Sequence, residues 1–330
     1  MADTNIKHGG NLREAARRYD IALEDWLDLS TGINPLGYPV PPVPPDAWRR
    51  LPEEDDGLAA CAAQYYGASF ALPVAGSQAA IRAIPSLLKP GVAGVAPLTY
   101  GEYAPALARA GHRIVALDIA KNDLPETLDY VIVANPNNPT AARLSRETLL
   151  RWHAQLTQRG GTLIVDEAFA DVDPSASLAD QTTRDGLIVL RSVGKFFGLA
   201  GIRAGFVLAA PELLNALASA LGAWTVSGPA RHAVMAAFAD HEWQNETRER
   251  LHEDGARLAA IIARYGFDVH STPLFSWIPT PRAASLQHAL AQHGIWTRLF
   301  DTNEPSLRIG LPGAQGEWAR FERAWADACA

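Results

Sequence analysis

The sequence has little of what marks secreted, membrane or nucleic-acid-binding proteins. It contains only two cysteines, Cys61 and Cys329, which are far apart and offer neither a disulfide framework nor zinc-ligand spacing. No apolar run is long enough to span a bilayer, and the polar N-terminus has no signal-peptide core. The net charge is -7 without a basic tract, so nucleic-acid binding has little support. We therefore expect a soluble cytoplasmic protein.

Lysine is also scarce, and one lysine stands in an unusual place. Four of the 29 basic side chains are lysines, and the rest are arginines. Lys195 lies in SVGKFFGLAGIRAGF, Ser192 to Phe206, among glycines, two phenylalanines and aliphatic residues. A lysine in an apolar site tends to lose its proton, because burial disfavours the charged form. An uncharged lysine amine is a nucleophile for aldehydes, so this segment predicts covalent chemistry at Lys195.

The pattern of apolar runs predicts an α/β fold. A chain of 330 residues with 48% hydrophobic and 20% charged residues has room for a large domain and a smaller one. Between about residues 90 and 210, short β-rich runs alternate with helical stretches such as ETLLRWHAQLTQRG. Because the runs lack polar alternation, they predict a mostly parallel sheet covered by helices on both faces. The runs are GVAGVAP, HRIVALDI, YVIVANP, GTLIVDEAF, GLIVLRSV and RAGFVLAA.

Composition also suggests where the domains begin and end. The proline-rich stretch PLGYPVPPVPPDAW, Pro35 to Trp48, is predicted to be extended and not helical. It would connect an N-terminal arm, residues 1–40, to a large domain, residues 41–220. After residue 210 a long helical region runs to about Tyr265. The segments that follow predict a small α+β domain, residues 221–330, and they are GFDVHSTPLFSWIPT, RAASLQHALAQHG and SLRIGLPG.

Polar residues follow three of the predicted strands, at the sheet edge where ligands bind in parallel sheets. These residues are Asn135, Asn137 and Asn138 after one strand, Asp166 at the end of the next, and Ser192 and Lys195 at a third. A buried carboxylate at Asp166 needs a positive or hydrogen-bonding partner, since it would otherwise take up a proton. The neighbouring Glu167 points to the other face of the strand, so we interpret it as structural.

A phosphate site is predicted beside these strand ends. The residues Gly76, Ser77 and Gln78 precede a helix whose free N–H groups and dipole favour a phosphate. Arg203 would add a bidentate contact, and Ser192 would add a hydroxyl. One ligand combines an aldehyde, a phosphate and a basic ring nitrogen for Asp166, and that ligand is pyridoxal phosphate. Within this interpretation, Asn138 bonds the ring hydroxyl and Tyr100 stacks on the ring.

Three segments carry a resemblance to a known family. In this order, NPNNPT, VDEAF and SVGKFFGLAGIRAGF resemble the aminotransferase-like, fold type I family of pyridoxal-phosphate enzymes, over nearly the whole chain. The resemblance implies that Lys195 joins the cofactor covalently, that Asp166 binds the ring nitrogen, and that Asn138 and Arg203 bind the ring oxygen and phosphate. It also implies a homodimer, because the active site of that family lies between two subunits. Leu51 stands where many relatives have a tyrosine that reaches the partner's cofactor phosphate.

Within this family, two groups are similar to the chain: histidinol-phosphate aminotransferases and threonine-phosphate decarboxylases. The segments KHGGN and LDLSTGINPLG resemble the decarboxylases, whose opening segments fold over the active site and help to hold the substrate's phosphate. At position 169 the chain has a phenylalanine and resembles the decarboxylases, whereas many aminotransferases have a tyrosine there. Arg308 is similar to the arginine that usually binds the α-carboxylate, and Arg298 to a second anion-binding arginine. The other substrate-binding residues implied are His8, Gly9, Gly10, Gly32 and Asn34.

The resemblance therefore implies decarboxylation of threonine phosphate to aminopropanol phosphate, which forms the cobalamin linker. Transamination of a phosphorylated substrate such as histidinol phosphate is the alternative. A regulatory protein that only binds the cofactor usually carries an added DNA-binding domain, for which we see no room. A nicotinamide dehydrogenase would need a glycine fingerprint after its first strand, which is missing. No metal site is expected.

Overall fold

The computed structural model describes residues 9–302 and 304–330, and the predicted site residue His8 lies outside them. The chain forms two compact units. The larger unit comprises Tyr38–Asn138 and Ala142–Asn245, and the smaller comprises Met1–Gly37, Pro139–Ala141 and Glu246–Ala330. Among the helices of the described residues, none is long and apolar enough to cross a membrane.

The helices and strands follow one another along the whole described chain. The helices are α1 (Leu12–Tyr19), α2 (Pro45–Arg49), α3 (Leu58–Tyr66), α4 (Ser77–Leu87), α5 (Tyr103–Arg109), α6 (Arg146–Thr157), α7 (Pro211–Leu221), α8 (Gly228–Ala239), α9 (His241–Ala263), α10 (Ala283–Gln292) and α11 (Gln315–Cys329). The strands are β1 (Leu27–Asp28), β2 (Leu72–Val74), β3 (Val92–Val95), β4 (Arg113–Ala116), β5 (Tyr130–Ala134), β6 (Thr162–Asp166), β7 (Leu187–Ser192), β8 (Gly205–Leu208), β9 (His270–Thr272), β10 (Phe275–Pro279), β11 (Ile295–Trp296), β12 (Arg298–Phe300) and β13 (Ser306–Gly310).

The larger unit is built on one sheet with the strand order β2-β8-β7-β6-β5-β3-β4. Strands β3 to β7 pair in parallel, while β8 runs antiparallel to both β2 and β7. Every residue of β5 and β6 is buried, which explains why these strands read as continuous apolar runs. The expected mostly parallel α/β sheet is therefore confirmed, and each of the six predicted runs contains a strand.

Helices α4, α5 and α7 cover one side of this sheet. Their apolar residues form a single buried cluster with β-strand residues such as Ile164 and Leu190. Fully burying a side chain of this size contributes roughly 1.5–3 kcal/mol, so this cluster holds the strand ends in fixed positions. The N-terminus of α4 and the N-terminus of α5 are thereby fixed beside the carboxyl ends of the strands.

The smaller unit contains an antiparallel sheet with the order β12-β13-β10-β9 and a parallel pair of β1 with β11. Leu307 and Ile309 of β13 are fully buried on one face of the four-stranded sheet. Because side chains alternate along a strand, Ser306 and Arg308 lie on the opposite face. Trp26, Ala15 and Ala291 form a second buried cluster, around which Tyr19 and Trp296 pack.

The structure corrects one expectation. The proline-rich stretch was expected to contain no helix, but its end forms the short helix α2. Pro44 is the N-cap and Pro45 occupies the first turn, where a proline is tolerated because its missing N–H would have no partner there. The compact units divide near residues 38 and 245, whereas the boundaries expected for the domains were 40 and 220. Those domain boundaries remain predictions.

Candidate active site

Three of the predicted strand ends lie side by side at one edge of the large sheet. Asp166, the last residue of β6, pairs with Ala134 of β5 on one side and with Leu190 of β7 on the other. The backbone N–H of Asn135 donates to the carbonyl of Asp166 at 2.9 Å. The asparagine segment, Asp166 and Ser192 therefore reach the same sheet edge, where ligands bind in folds of this class.

Asp166 is a buried carboxylate that keeps two strong hydrogen bonds. It is 5% exposed, and its Oδ2 accepts from the hydroxyl of Tyr103 at 2.8 Å while its Oδ1 accepts from the backbone N–H of Ala168 at 3.0 Å. Burial raises the pKa of Asp166, and the bonds from Tyr103 and Ala168 together with the charge of Lys195 oppose this rise. A cationic ring nitrogen at this carboxylate would relieve the cost of its burial.

Tyr103 was not identified from the sequence. It is 1% exposed at the start of α5, and its ring packs edge-on against Tyr100 with centroids 5.5 Å apart. The only sequence signal is a second tyrosine three residues after Tyr100, on a helix whose other residues are mostly apolar. The contact itself joins residues 63 positions apart, so it becomes visible only in the folded chain.

Gly76, Ser77 and Arg203 form a cradle at the N-terminus of α4. Gly76 has φ +73°, and a Cβ placed on it would lie 2.7 Å from Nη2 of Arg203. A Cβ on Gly205 would lie 2.7 Å from the backbone nitrogen of Ser77, and Gly205 pairs with Ser192 across β7 and β8. Among the described residues, no side chain caps this helix. The free N–H groups and the guanidinium thus form a site that suits a phosphate.

Tyr100, Gln78 and Glu102 form a hydrogen-bonded chain at this helix N-terminus. The hydroxyl of Tyr100 donates to Oε1 of Gln78 at 2.9 Å, and Nε2 of Gln78 donates to Glu102 at 2.8 Å. Burial raises the pKa of Tyr100 to about 12, and the charges of Asp166 and Glu102 act in the same direction. Tyr100 therefore stays a neutral phenol between the two charged parts of the site. Its stacking on a cofactor ring stays a prediction.

Lys195 follows β7 in a loop that aromatic side chains hold in place. Phe196 and Phe197 are almost fully buried, and Phe197 stacks on Trp243 with centroids 5.7 Å apart and an interplanar angle of 13°. The backbone N–H of Tyr38 also donates to the carbonyl of Phe197 at 2.9 Å. The half-buried lysine places its Nζ 5.3 Å from the centroid of the Phe169 ring. The apolar residues around Lys195 in the sequence therefore serve to fix its backbone.

The three asparagines of the NPNN segment differ in their contacts and burial. The side chain of Asn135 bonds both backbone groups of Leu144, and Asn137 bonds Thr99 and the carbonyl of Leu98. These two asparagines therefore hold the loop. Asn138 follows them and is half-buried. Its predicted bond to a ring hydroxyl stays a prediction.

Glu167 belongs to a buried ion network. Arg191 of β7 lies between Glu167 at 2.6 Å and Asp171 at 3.0 Å, and all three side chains are almost fully buried. The guanidinium also lies 4.4 Å from the ring centroid of Tyr66. The network ties the loop after β6 to β7, which agrees with a structural role for Glu167.

In the smaller unit, two arginines form a strongly cationic site. Arg298 and Arg308 are direct partners across β12 and β13, so both side chains start from the same face of the sheet. Burial, and next the charge of Arg298, lower the pKa of Arg308 to about 9, while Asp28 opposes this. Burial also lowers the pKa of Arg298. Two desolvated guanidinium groups side by side favour binding of an anion such as a carboxylate or phosphate.

The remaining predicted substrate residues lie in the same unit. A Cβ on Gly9 would lie 2.4 Å from the carbonyl oxygen of Ser30, and Gly10 and Gly32 have φ +83° and +62°. Asn34 is buried, and its Oδ1 accepts from the backbone N–H of Leu36 and from Arg250, both at 3.0 Å. Their contacts with a substrate stay predictions. Leu51 in the larger unit is 64% exposed.

Comparison with known proteins identifies the family. Residues 51–323 match the family of aminotransferase class I and II. A threonine-phosphate decarboxylase from Pseudomonas aeruginosa is 50% identical over 321 residues, which cover 97% of each chain. A second one, from a Sinorhizobium species, is 43% identical over 337 residues and covers 98% of each chain.

The solved structure of a histidinol-phosphate aminotransferase from Sinorhizobium meliloti, in complex with pyridoxal-5'-phosphate, shares the fold. Its TM-score is 0.82 at 19% sequence identity, and the match covers 97% of this chain and 95% of that one. The family match covers more than half of the chain, and the two decarboxylases cover 97% and 98% of it. This chain therefore belongs to the aminotransferase class I and II family.

Proposed function

We propose that this protein is a pyridoxal-phosphate-dependent lyase that converts L-threonine O-3-phosphate to (R)-1-amino-2-propanol phosphate and carbon dioxide. The observation that carries the proposal is the 50% identity, over 97% of each chain, to a threonine-phosphate decarboxylase. The product would supply the aminopropanol linker in cobalamin biosynthesis.

The larger unit has the residues that pyridoxal phosphate needs. The cradle of Gly76, Ser77 and Arg203 fits the phosphate, since a Cβ at Gly76 would fill the space beside the guanidinium. Asp166 is a buried carboxylate, and a cationic ring nitrogen would offset the burial that raises its pKa. When bound, the cofactor supplies an aldehyde for amines and a ring that withdraws electrons from the substrate's α-carbon. Lys195 is the amine of this chain that would join it.

The smaller unit has the residues that the substrate's anionic groups need. Threonine phosphate carries a carboxylate and a phosphate, and we assign them to Arg308 and Arg298 respectively. The glycine-rich arm, with His8, Gly9 and Gly32, would give specificity for the phosphate. Holding both anionic groups fixes the orientation of the α-carbon, which decides whether the carboxylate or the α-proton leaves.

The reaction balances with one proton. The bond between the α-carbon and the carboxylate breaks, carbon dioxide leaves, and a proton is added to the α-carbon in its place. We assign delivery of this proton to Nζ of Lys195, because a positioned lysine side chain can act as a general acid.

Product analysis tests the proposed function. We expect the purified protein with pyridoxal phosphate to release carbon dioxide from threonine phosphate without any keto acid, leaving aminopropanol phosphate as the second product. The likeness in fold to a histidinol-phosphate aminotransferase makes transamination the alternative. Amino transfer that requires a keto acid, with no release of gas, would reject the decarboxylase.

We also propose a homodimer that works in the cytoplasm. Four large apolar side chains of the larger unit are between 44% and 68% exposed, namely Trp48, Leu51, Phe70 and Trp224. Trp224 lines one surface cavity with Pro52 and Ala71, which neighbour Leu51 and Phe70 in the sequence. Apolar patches of this kind mark protein interfaces. Cofactor and substrate are phosphorylated anions, which do not cross a bilayer unaided, and this supports the cytoplasm.

Light scattering tests the dimer. We expect a mass of two chains for the unaltered protein and of one chain for Trp224→Glu, because a buried unpaired carboxylate opposes association. The control is Leu23→Glu, at another exposed apolar residue, which should leave the mass at two chains. A one-chain mass for the unaltered protein would contradict the proposal.

A further inference from the structure

Ser30 contacts both Gly10 and the buried Arg308 of the smaller unit. It is the second residue after β1 and is fully buried. Strand β1 is fixed by its pairing with β11, and the N–H of the next residue, Leu29, donates to the carbonyl of Trp296 at 2.8 Å. Ser30 therefore lies one residue beyond the backbone bond that extends the β1–β11 pair.

The hydroxyl of Ser30 is committed to two partners. Oδ1 of Asp28 accepts from the Ser30 hydroxyl at 2.6 Å and from the Ser30 backbone N–H at 2.9 Å. A serine hydroxyl has a single proton, so its oxygen is then left as an acceptor. It accepts from the backbone N–H of Gly10 at 2.6 Å. Asp28 thus orients Ser30 to hold Gly10.

The carbonyl oxygen of Ser30 is a hydrogen-bond acceptor for Arg308. Nη2 of Arg308 donates to this carbonyl oxygen, and Arg308 is only 5% exposed. The charge of Asp28 favours the charged form of Arg308. Asp28 and Ser30 therefore act on both Gly10 and the guanidinium of Arg308.

The glycine segment, Gly9–Asn11, is shaped for this contact. A Cβ on Gly9 would lie 2.4 Å from the very carbonyl oxygen that Arg308 uses, and Gly10 has φ +83°, so both positions favour glycine. A second tie comes from Trp296, whose Nε1 donates to the carbonyl of Gly10 at 2.9 Å. Both backbone groups of Gly10 are thus held by side chains at the β1–β11 pair.

We propose that Ser30 is a positioning residue that couples docking of the glycine segment to the orientation of Arg308. Because both contacts use one residue, each stabilises the other, and the effect is reciprocal. In the proposed function, on which this consequence rests, a substrate anion held by Arg308 strengthens docking of the segment that precedes α1. The segment in turn holds the guanidinium ready for the anion.

Amide hydrogen exchange without substrate tests the coupling. We expect Ser30→Ala to speed exchange in Gly9–Asn11 by about two- to tenfold, the range of one lost hydrogen bond. Arg308→Met should also speed exchange there, because it removes the partner of the Ser30 carbonyl. The matched controls are Ser285→Ala and Arg257→Met, whose side chains bond Arg282 and Glu322 in the same unit. They should leave the exchange unchanged.

Two further readouts separate positioning from a structural effect. If Ser30→Ala fails to fold, Trp296→Phe takes its place. This variant keeps an aromatic ring but removes the hydrogen bond to the carbonyl of Gly10, so it should speed exchange in Gly9–Asn11. In kinetics with threonine phosphate, Ser30→Ala should raise KM about tenfold and leave kcat within about twofold, since the reacting groups are untouched.

Unchanged exchange of Gly9–Asn11 in Ser30→Ala would overturn the coupling. Faster exchange in Ser30→Ala together with unchanged exchange in Arg308→Met would overturn it as well. If the unaltered protein releases no carbon dioxide, the proposed decarboxylation fails, while the exchange experiment still decides the role of Ser30.

Discussion

Replacing Lys195 with alanine should lower the kcat of carbon dioxide release by at least about 10³-fold. The side chain is assigned two tasks, joining the cofactor and returning a proton to the α-carbon. General acid–base catalysis alone contributes about 10²–10⁴-fold, and loss of the attachment adds to it. Because Phe196, Phe197 and Trp243 hold the loop through other atoms, the fold should survive the change.

Steady-state release of carbon dioxide, with cofactor in excess, measures this effect. Lys121→Ala is the matched control, because Lys121 is an exposed lysine that is not among the predicted site residues. It should retain full activity. A Lys195→Ala variant with a normal melting temperature and more than about a tenth of the original kcat would refute the assignment of both tasks.

Replacing Asp166 with asparagine should weaken cofactor binding by about 10- to 100-fold and lower kcat by a similar or larger factor. A hydrogen bond to a charged group contributes about 1.5–3 kcal/mol, and asparagine keeps the shape of the side chain without its charge. Without the carboxylate, a protonated ring nitrogen is no longer favoured, so the ring withdraws electrons less well. Fluorescence titration with pyridoxal phosphate gives the affinity separately from activity.

The pH dependence of cofactor binding should identify the same carboxylate. Burial raises the pKa of Asp166 above its ordinary value, so the group takes up a proton, and affinity falls, at a higher pH than for an exposed aspartate. Tyr103→Phe removes a hydrogen bond that lowers this pKa. The loss of affinity should therefore begin at a still higher pH in this variant. Tyr130→Phe, which removes a bond to the carbonyl of Lys89, is the control.

An unshifted pH profile in Tyr103→Phe would show that the phenol does not act on Asp166. An Asp166→Asn variant that binds pyridoxal phosphate as tightly as the unaltered protein would remove the carboxylate from the cofactor site.

Strands, and the polar residues that follow them, could be predicted from the sequence where the pattern lies within one segment of the chain. The runs that became β5, β6 and β7 could be identified because strands buried on both faces contain no polar alternation. Parallel strands bring their carboxyl ends to one edge, so the grouping of Asp166 with Ser192 follows from the order of the elements. The helix at Pro45 was missed because proline argues against a helix interior but not against its first turn.

Contacts between distant segments could not be predicted. Tyr103 meets Asp166 only because α5 packs on the sheet, and Ser30 meets Arg308 across 278 positions of sequence. That Arg298 and Arg308 share a face depends on the register of β12 and β13, which two lone arginines do not reveal. The resemblance to a family supplied these two arginines, while the structure supplies the reason why the pair favours an anion.

Peptide mapping after reduction tests the central claim, that Lys195 holds the cofactor. The protein is saturated with pyridoxal phosphate, reduced with borohydride and digested, and the four lysine-containing segments are compared by mass. We predict that the cofactor's mass is fixed on Lys195, with Lys7, Lys89 and Lys121 unmodified. An unmodified Lys195 in fully loaded protein would contradict the account.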